Sequence, residues 1–179
     1  MRRRRIVLAL LCVAPVLPAA AQSRPELIKN GDFAQGLEDW TANGHVDAAH
    51  DRDYDPKNHS PAATFATFNR GDTTPNAVLS QAVETEPKAD YLLTFSFAAY
   101  DASGGSHQIL DVTIVSNGEV LAGKTIGPVG GSRDLSKIFR RYQVPFTAYG
   151  PSVTITFTDR SADTKSVDGL LTEVSVKRR

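Results

Sequence analysis

The most polar stretch of the sequence, HVDAAHDRDYDPKNH, gathers three histidines and four aspartates and could bind a metal ion. Asp51, Asp53 and Asp55 have the one-three-five spacing of calcium loops, in which alternate carboxylates converge on the ion. The sixth position of that pattern is Pro56 rather than glycine, and the twelfth is Ala62 rather than glutamate, which excludes an EF-hand loop. We therefore interpret the segment as a solvated loop after a strand, with the three aspartates as candidate metal ligands.

A second set of polar residues could bind a sugar. Sugars present apolar C–H faces and hydroxyl rims, so their sites combine an aromatic ring with planar hydrogen-bonding groups. The candidates of these types are Tyr100, Asp101, His107, Arg141 and Gln143. The aromatic residues expected to be exposed near loops are Tyr54, Tyr100 and Tyr149. The alternative is that these are ordinary surface residues, because polar side chains are mostly exposed in any fold.

Catalytic motifs are missing from the sequence. It contains no G-x-S-x-G elbow, no H-E-x-x-H helix and no P-loop, and its GPVGGSRD segment lacks the Lys-Ser/Thr ending of a phosphate loop. A glycosidase needs two carboxylates about 5–10 Å apart, but any chain with twenty acidic residues offers such pairs. We interpret five aspartates as turn, cap or surface groups: Asp101, Asp111, Asp159, Asp163 and Asp168. The sequence thus predicts a protein that is not an enzyme.

The elements that must position the candidates are strands. In YLLTFSFAAY, apolar residues at every second position put Tyr91, Leu93, Phe95, Phe97 and Ala99 on one face. The same alternation predicts strands in HVDAA, AATFATF, AVLSQAV, ILDVTIVS, FRRYQVPF, SVTITFTD and LLTEVSV. Asn117-Gly118 predicts a tight hairpin turn, and the glycines of GPVGGSRD predict a mobile loop. No segment has a sustained helical period, which indicates an all-β jelly-roll sandwich.

The N-terminal residues 1–21 have the features of a secretory signal peptide. Four arginines precede an apolar run at residues 6–17, and Ala19 and Ala21 have the spacing of a cleavage site. The run is too short to span a bilayer. We predict cleavage after Ala21, a secreted or periplasmic protein, and one β-sandwich domain over residues 22–179.

Composition restricts the partners of the mature chain. Without the leader it has sixteen basic and twenty acidic residues, a net charge of −4, which gives no long-range attraction for nucleic acid or anionic lipid. The short basic tail Lys177-Arg178-Arg179 is not expected to alter this. The only cysteine, Cys12, lies in the leader, so neither a disulfide nor a cysteine-based metal site is expected.

Four stretches occur in an order that resembles a known family. They are NGDF followed by a tryptophan, LSQAV before YLLTFSFAA, FTAYGPSVTITFTD, and a final VDGLLTEVSV. This order resembles the galactose-binding-like β-sandwiches, and in particular the CenC-type carbohydrate-binding modules and choice-of-anchor-like secreted proteins. The resemblance implies a jelly roll of about eight or nine antiparallel strands, in a family that is often non-catalytic and often binds glycans. We predict a secreted, non-catalytic module that binds an envelope or extracellular polysaccharide. The alternative is a structural or adhesive module that contacts protein and has no sugar pocket.

The resemblance also implies a structural calcium, held by acidic residues near both ends of the domain. This sequence departs from that pattern, because Ala34 replaces the N-terminal glutamate, and Thr172 with Glu173 replace the C-terminal Asp-Asn pair. Calcium needs six to eight oxygen ligands, several of them charged. We therefore expect no cofactor, and Asp32 and Asp168 are the candidate ligands for a residual calcium site.

The stretch LIKNGDFAQGLEDW opens the predicted mature domain. Leu27 and Ile28 are predicted to start the first strand, with a turn at Asn30 and Gly31. Phe33 and Trp40 are predicted to fill one end of the sandwich. This stretch is therefore interpreted as architecture rather than as a binding site.

Overall fold

The alternating sequence pattern forms strands in a computed structural model, which describes residues 24–54, 64–68, 77–101, 107–161 and 167–179. The predicted leader, Asp55 and Asp163 lie outside the described residues. The strands are β1 Thr41–Asn43, β2 Val46–His50, β3 Thr64–Phe68, β4 Val78–Glu84, β5 Asp90–Asp101, β6 His107–Ser116, β7 Glu119–Gly130, β8 Arg140–Thr147, β9 Ser152–Asp159 and β10 Val167–Arg178. A 3₁₀ turn, Asp51–Asp53, and a one-turn helix α1, Leu135–Ile138, complete the described elements.

The strands form two five-stranded sheets. Sheet 1 has the order β1-β4-β9-β6-β7, and sheet 2 has the order β2-β3-β10-β5-β8. All neighbouring strands are antiparallel. The predicted all-β jelly-roll sandwich is thus confirmed, and the described part of the chain contains ten strands rather than eight or nine. Within these ranges, no helix combines the length and apolar character needed to cross a bilayer.

The core lies between the two sheets, where the predicted apolar faces meet. Phe95 of β5 is fully buried, and its ring meets that of Phe157 of β9 edge-on at a centroid distance of 5.2 Å. The outer face of β5 is also covered at one end, because Ala98 packs in a second apolar cluster with Phe65 and Leu135. The prediction that one face of YLLTFSFAAY is the core face is therefore confirmed.

The predicted hairpin turn is present between β6 and β7. Asn117 and Gly118 have φ values of 51° and 84°, the left-handed conformation that a type I′ turn requires at both positions. The prediction of a mobile loop in GPVGGSRD is wrong for its first half. Gly130 and Val129 pair with His107 and Gln108, so β7 continues through Gly130 and stays paired with the first residues of β6.

The prediction that Leu27 and Ile28 start a strand is wrong. The segment instead crosses the edge of the sandwich, where Leu27 N–H donates to the Val176 carbonyl of sheet 2 at 3.0 Å. The side chain of Gln81, in sheet 1, both donates to and accepts from the main chain of Lys29 at 2.9 Å. Leu27 therefore bonds to sheet 2 and Lys29 bonds to sheet 1. The segment links the two sheets instead of adding a strand to either.

Candidate ligand-binding groove

Two of the predicted site residues, Arg141 and Gln143, lie side by side on the outer face of sheet 2. They occupy alternate positions of β8, and both side chains are exposed. Arg141 is paired in register with Ser96 and Gln143 with Thr94 of β5. The Arg141 guanidinium lies 3.4 Å from Thr94 Oγ1, so it extends along the surface of the sheet.

Tyr100 and Asp101, at the end of β5, are occupied in packing. The Tyr100 hydroxyl donates to the Tyr54 carbonyl at 3.1 Å, and the two rings meet edge-on at 4.8 Å. Asp101 is 1% exposed, and a Cβ added at Gly131 would lie 2.2 Å from the Asp101 Cβ. The prediction of exposed aromatics is therefore wrong for Tyr54 and Tyr100, which are half-buried, and right for Tyr149, which is 68% exposed.

His107 lies in the other sheet. It begins β6 of sheet 1, where it pairs with Gly130 of β7 and is exposed. The structure thus brings Arg141 and Gln143 together, and it places Tyr100, Asp101 and His107 apart from them.

A groove runs over the outer face of sheet 2 beside Arg141. One part, of about 570 Å³, is lined by Arg24, Leu92, Thr94, Arg141, Gln143, Ser175, Lys177, Arg178 and Arg179. The second part, of about 460 Å³, shares three of these residues and is completed by Glu26, Ile28, Asn30, Gly31, Asp32, Glu173 and Val174. We call the two parts together the outer-face groove. Each has a volume typical of small-molecule sites.

An irregularity in β10 and the N-terminal segment build one wall of the groove. The register of β10 against β5 shifts between Thr172 and Ser175, where Glu173 has a φ of 52°. The displaced main chain meets the N-terminal segment, because Val174 N–H donates to the Gly31 carbonyl at 2.9 Å. The Glu173 carboxylate accepts from Ser96 Oγ at 2.7 Å, which holds the wall against β5.

Glu26 fixes the N-terminal segment over β10. Its carboxylate accepts from Ser175 Oγ at 2.5 Å, from Val176 N–H at 2.7 Å and from Ile28 N–H at 3.0 Å. The bonds from Ser175 and Val176 join residues that are far apart in sequence, so the wall exists only in the folded chain.

The predicted metal ligands are spread over the molecule. Asp32 is exposed, and Thr64 connects it to Thr172 of β10. The Asp32 carbonyl accepts from Thr64 Oγ1, and the Thr64 carbonyl accepts from Thr172 Oγ1. Asp168 lies four residues before Thr172 in β10, about 13 Å along a strand, and it accepts from the Tyr54 hydroxyl at 2.7 Å. Asp32 and Asp168 therefore do not converge on one ion.

Asp51 and Asp53, the two described aspartates of the calcium-like triplet, both accept hydrogen bonds from the local main chain. Asp51 is 8% exposed, which corrects the prediction of a solvated loop at this position, and Asp53 accepts from His50 N–H at 3.0 Å. Across the described ranges, no three His, Cys, Asp or Glu side chains are grouped to hold a metal ion.

Asp159 at the end of β9 is buried, as is Asp101, so neither is a surface group. The Asp159 carboxylate accepts from the N–H two residues further along the chain, which is the hydrogen bond expected of a turn group. One Asp159 oxygen accepts from the main-chain N–H and the hydroxyl of Ser161, at 2.8 and 2.5 Å. The other oxygen has no hydrogen-bond partner among the described residues. Burial removes water from the carboxylate and raises the pKa of Asp159 above 3.8, against the opposing effect of the Ser161 hydrogen bonds.

This raised pKa predicts a pH-dependent contribution to stability. The folded state favours the protonated carboxyl, so the contribution is present below the unfolded pKa and is lost as the pH rises through the folded pKa. We expect Asp159→Asn to gain melting temperature relative to the native chain as the pH rises from about 3 toward neutrality. Melting curves followed by circular dichroism measure this difference, and a difference that is constant with pH would contradict the assignment.

Sequence comparisons and structure comparisons give different results for this chain. No family model matches it, and no curated protein sequence matches it significantly. The fold is similar to that of the carbohydrate-binding module TmCBM61, solved in complex with β-1,4-galactotriose. The TM-score is 0.64 at 16% identity, over 87% of this chain and 99% of that one. The chain therefore has the fold of a carbohydrate-binding module.

Two further structures share this fold. A putative sugar-binding protein from Bacteroides thetaiotaomicron VPI-5482 has a TM-score of 0.55 at 14% identity, over 87% of this chain and 100% of that one. The K1 cleaved adhesin domain of Lys-gingipain from Porphyromonas gingivalis W83 has a TM-score of 0.58 at 18% identity, over 82% and 95%. Two similar chains from enzyme structures are matched over only 21% and 26% of their length, so the likeness there covers one part of each.

Proposed function

We propose that the protein is an exported, non-catalytic carbohydrate-binding module whose ligand is an envelope or extracellular polysaccharide held in the outer-face groove. The observation that carries the proposal is the pair of exposed planar side chains, Arg141 and Gln143, on adjacent outward positions of β8. A guanidinium and an amide both present several N–H donors in one plane, which suits the hydroxyl rim of a sugar. The likeness to TmCBM61, solved with a galactotriose, supports the same class of ligand.

The floor of the groove offers complementary chemistry. Leu92 provides a small apolar area for a C–H face, and the hydroxyls of Thr94 and Ser175 provide donors and acceptors beside it. The described residues that line the groove include no aromatic ring, which departs from the combination of ring and planar groups expected from the sequence. Binding there would depend on hydrogen bonds and on the small apolar area of Leu92.

The carboxylates of the groove have structural roles, which supports a non-catalytic assignment. Glu26 accepts three hydrogen bonds from the wall that it builds, and Glu173 accepts one from Ser96. A glycosidase requires one carboxyl to act as an acid and another to act as a base or nucleophile. We infer that these groups position the groove and do not cleave the glycan.

Gln143→Ala is expected to weaken polysaccharide binding about five- to thirtyfold, because it removes one or two hydrogen bonds worth about 1 kcal/mol each. Affinity electrophoresis through gels that contain a polysaccharide measures the change. Gln35→Ala is the matched control, because Gln35 is exposed outside the groove, and its binding should equal that of the native chain. Equal retardation of the Gln143 variant and the control would reject this residue as a ligand contact.

The alternative function is a structural or adhesive module that contacts protein. The likeness to the Lys-gingipain adhesin domain favours it as the second candidate. A glycan array and a panel of polysaccharides separate the two, because a correctly folded chain retained by no glycan would leave the adhesive function as the better account.

The export part of the proposal predicts a specific mature chain. Cleavage after Ala21 leaves Gln22 as the first residue and removes Cys12. N-terminal sequencing and the intact mass of the protein recovered from outside the cytoplasm check this. A recovered chain that still carries the four leader arginines would contradict it.

A further inference from the structure

We propose that the ligand of the outer-face groove is an acidic polysaccharide whose sugar units carry carboxylates. This inference rests on the proposed function and adds the charge of the ligand to it. Of the nine residues that line the larger part of the groove, five are cationic and none is acidic, counting the described lining residues only. The cationic residues are Arg24, Arg141, Lys177, Arg178 and Arg179.

The concentration of positive charge is local. The whole chain has a formal net charge of zero, and the predicted mature chain is acidic, so overall composition does not explain five cations around one groove. Positive residues on three separate segments come together there: the N-terminal segment, β8 and the end of β10. An unligated surface of this kind is disfavoured by repulsion between like charges, and an anionic ligand relieves that repulsion.

Only part of this charge is neutralised by the protein. Arg178 pairs with Glu86 at 2.5 Å, and Lys177 lies 3.9 Å from Glu26. In the described part of the chain, no ion pair joins a carboxylate to Arg24, Arg141 or Arg179. The Arg24 guanidinium donates to the Arg178 carbonyl at 2.8 Å, and that of Arg141 lies 3.4 Å from Thr94 Oγ1. Both partners are neutral, so the charges of these groups are not offset by a carboxylate among the described residues.

The smaller part of the groove has a slight excess of negative charge. It contains Glu26, Asp32 and Glu173, and it shares the two cations Arg141 and Lys177 with the larger part. An anionic chain would therefore place its carboxylates at the basic part and its hydroxyl groups toward the acidic part. This polarity distinguishes a bound glycan from a uniform anionic surface such as a membrane.

Guanidinium groups match the chemistry of a uronic acid. An arginine can donate two parallel hydrogen bonds to one carboxylate, whereas a lysine acts as a point charge. Gln143 beside Arg141 supplies an amide for the neighbouring hydroxyl groups. The groove thus offers both the charge and the neutral contacts that a carboxylated sugar unit requires.

The test uses the predicted mature chain, residues 22–179, with four probes: polygalacturonate, dextran sulfate, a neutral galactan and duplex DNA. Binding to each is measured in about 50 mM and about 500 mM NaCl, which shortens the screening length from about 14 to about 4 Å. The groove variant combines Arg141→Gln and Arg179→Gln, which keeps polar side chains and removes two charges. The control is Arg133→Ala, an exposed arginine outside the groove, and circular dichroism confirms that each variant is folded.

The expected result is preferential binding of polygalacturonate, at least about tenfold weaker at the higher salt concentration. The groove variant should lose about tenfold or more in affinity for polygalacturonate, and the control should lose nothing.

Other outcomes overturn the inference in distinguishable ways. One such outcome is that the neutral galactan binds as tightly as polygalacturonate, independently of salt, and equally well to the groove variant. That outcome would overturn the acidic ligand and leave the proposed function standing. A preference for dextran sulfate would overturn the carboxylate assignment. Equally tight DNA binding would indicate unspecific attraction of polyanions, and failure to bind any of a broad polysaccharide panel would overturn both proposals.

Discussion

Replacing Trp40 with alanine is expected to lower the free energy of unfolding by about 3–5 kcal/mol. Trp40 is 8% exposed, and its ring lies 5.3 Å from that of Phe33 and 6.3 Å from that of Phe157. Its Nε1–H also donates to the Asn30 carbonyl at 3.0 Å. Truncation therefore opens a cavity between the Phe33 and Phe157 rings. It also removes one of the two hydrogen bonds to the Asn30 carbonyl, which keeps the bond from Phe33 N–H at 3.2 Å.

Urea unfolding followed by circular dichroism measures this change, because the variant lacks the only tryptophan and cannot be followed by its fluorescence. Tyr149→Ala is the control, since Tyr149 is 68% exposed and its loss should change the free energy by less than about 0.5 kcal/mol. A loss below about 1 kcal/mol for Trp40→Ala would place that ring outside the core.

Gly31→Ala is expected to cost about 3 kcal/mol or more and to weaken ligand binding at the same time. A Cβ at this position would lie 2.0 Å from the Val174 carbonyl oxygen and 3.0 Å from Ile28 Cγ2. Neither neighbour is the end of a long flexible side chain, so the main chain must move. Because Gly31 and Val174 both line the outer-face groove, that movement changes its wall.

Gly130→Ala provides the matched control. The nearest atoms to its added Cβ belong to the His107 ring at 3.8 and 3.9 Å, which is ordinary contact. We expect no loss of stability there, and a gain of up to about 1 kcal/mol from the stiffer unfolded chain. Similar unfolding curves for the Gly31 and Gly130 variants would contradict the close packing of Gly31 against β10.

The sequence predicted the parts of the fold that depend on local pattern. Alternation in YLLTFSFAAY predicts the core face of β5, and Asn117-Gly118 predicts the hairpin turn between β6 and β7, because strand geometry and positive φ depend on adjacent residues. Phe33 and Trp40 were likewise expected to fill the sandwich, and both are buried.

Features that depend on distant segments were missed. Alternation shows which residues share a face but not what covers it, so the contact between Tyr54 and Tyr100 was not foreseen. Leu27 and Ile28 have a strand-like composition, but they do not form a strand. Leu27 N–H donates to the Val176 carbonyl, and Ile28 N–H donates to the Glu26 side chain in the same segment. Such pairings follow from the register of the folded sheets, which adjacent residues do not determine.

The basic groove illustrates the same limit. Lys177, Arg178 and Arg179 follow one another in sequence, and composition predicts a tail without effect on partners. Lys177 and Arg178 instead belong to β10, which pairs with β5, and β5 pairs with β8. Lys177 and Arg179 therefore line the same groove as Arg141, whereas the Arg178 guanidinium pairs with Glu86. The alternation of VSVKR would have predicted this placement, because it extends the last strand through Arg178.

Amide NMR titration with oligosaccharides tests the central claim, that the outer-face groove of sheet 2 binds a polysaccharide, most directly. Oligogalacturonate and a neutral galactan oligomer are the two ligands, and each is added to the isotope-labelled mature chain. We expect chemical-shift changes centred on four groove residues, Thr94, Arg141, Gln143 and Ser175. Changes centred on the outer face of sheet 1, or around Tyr149, would contradict it, as would unchanged spectra with both oligosaccharides in large excess.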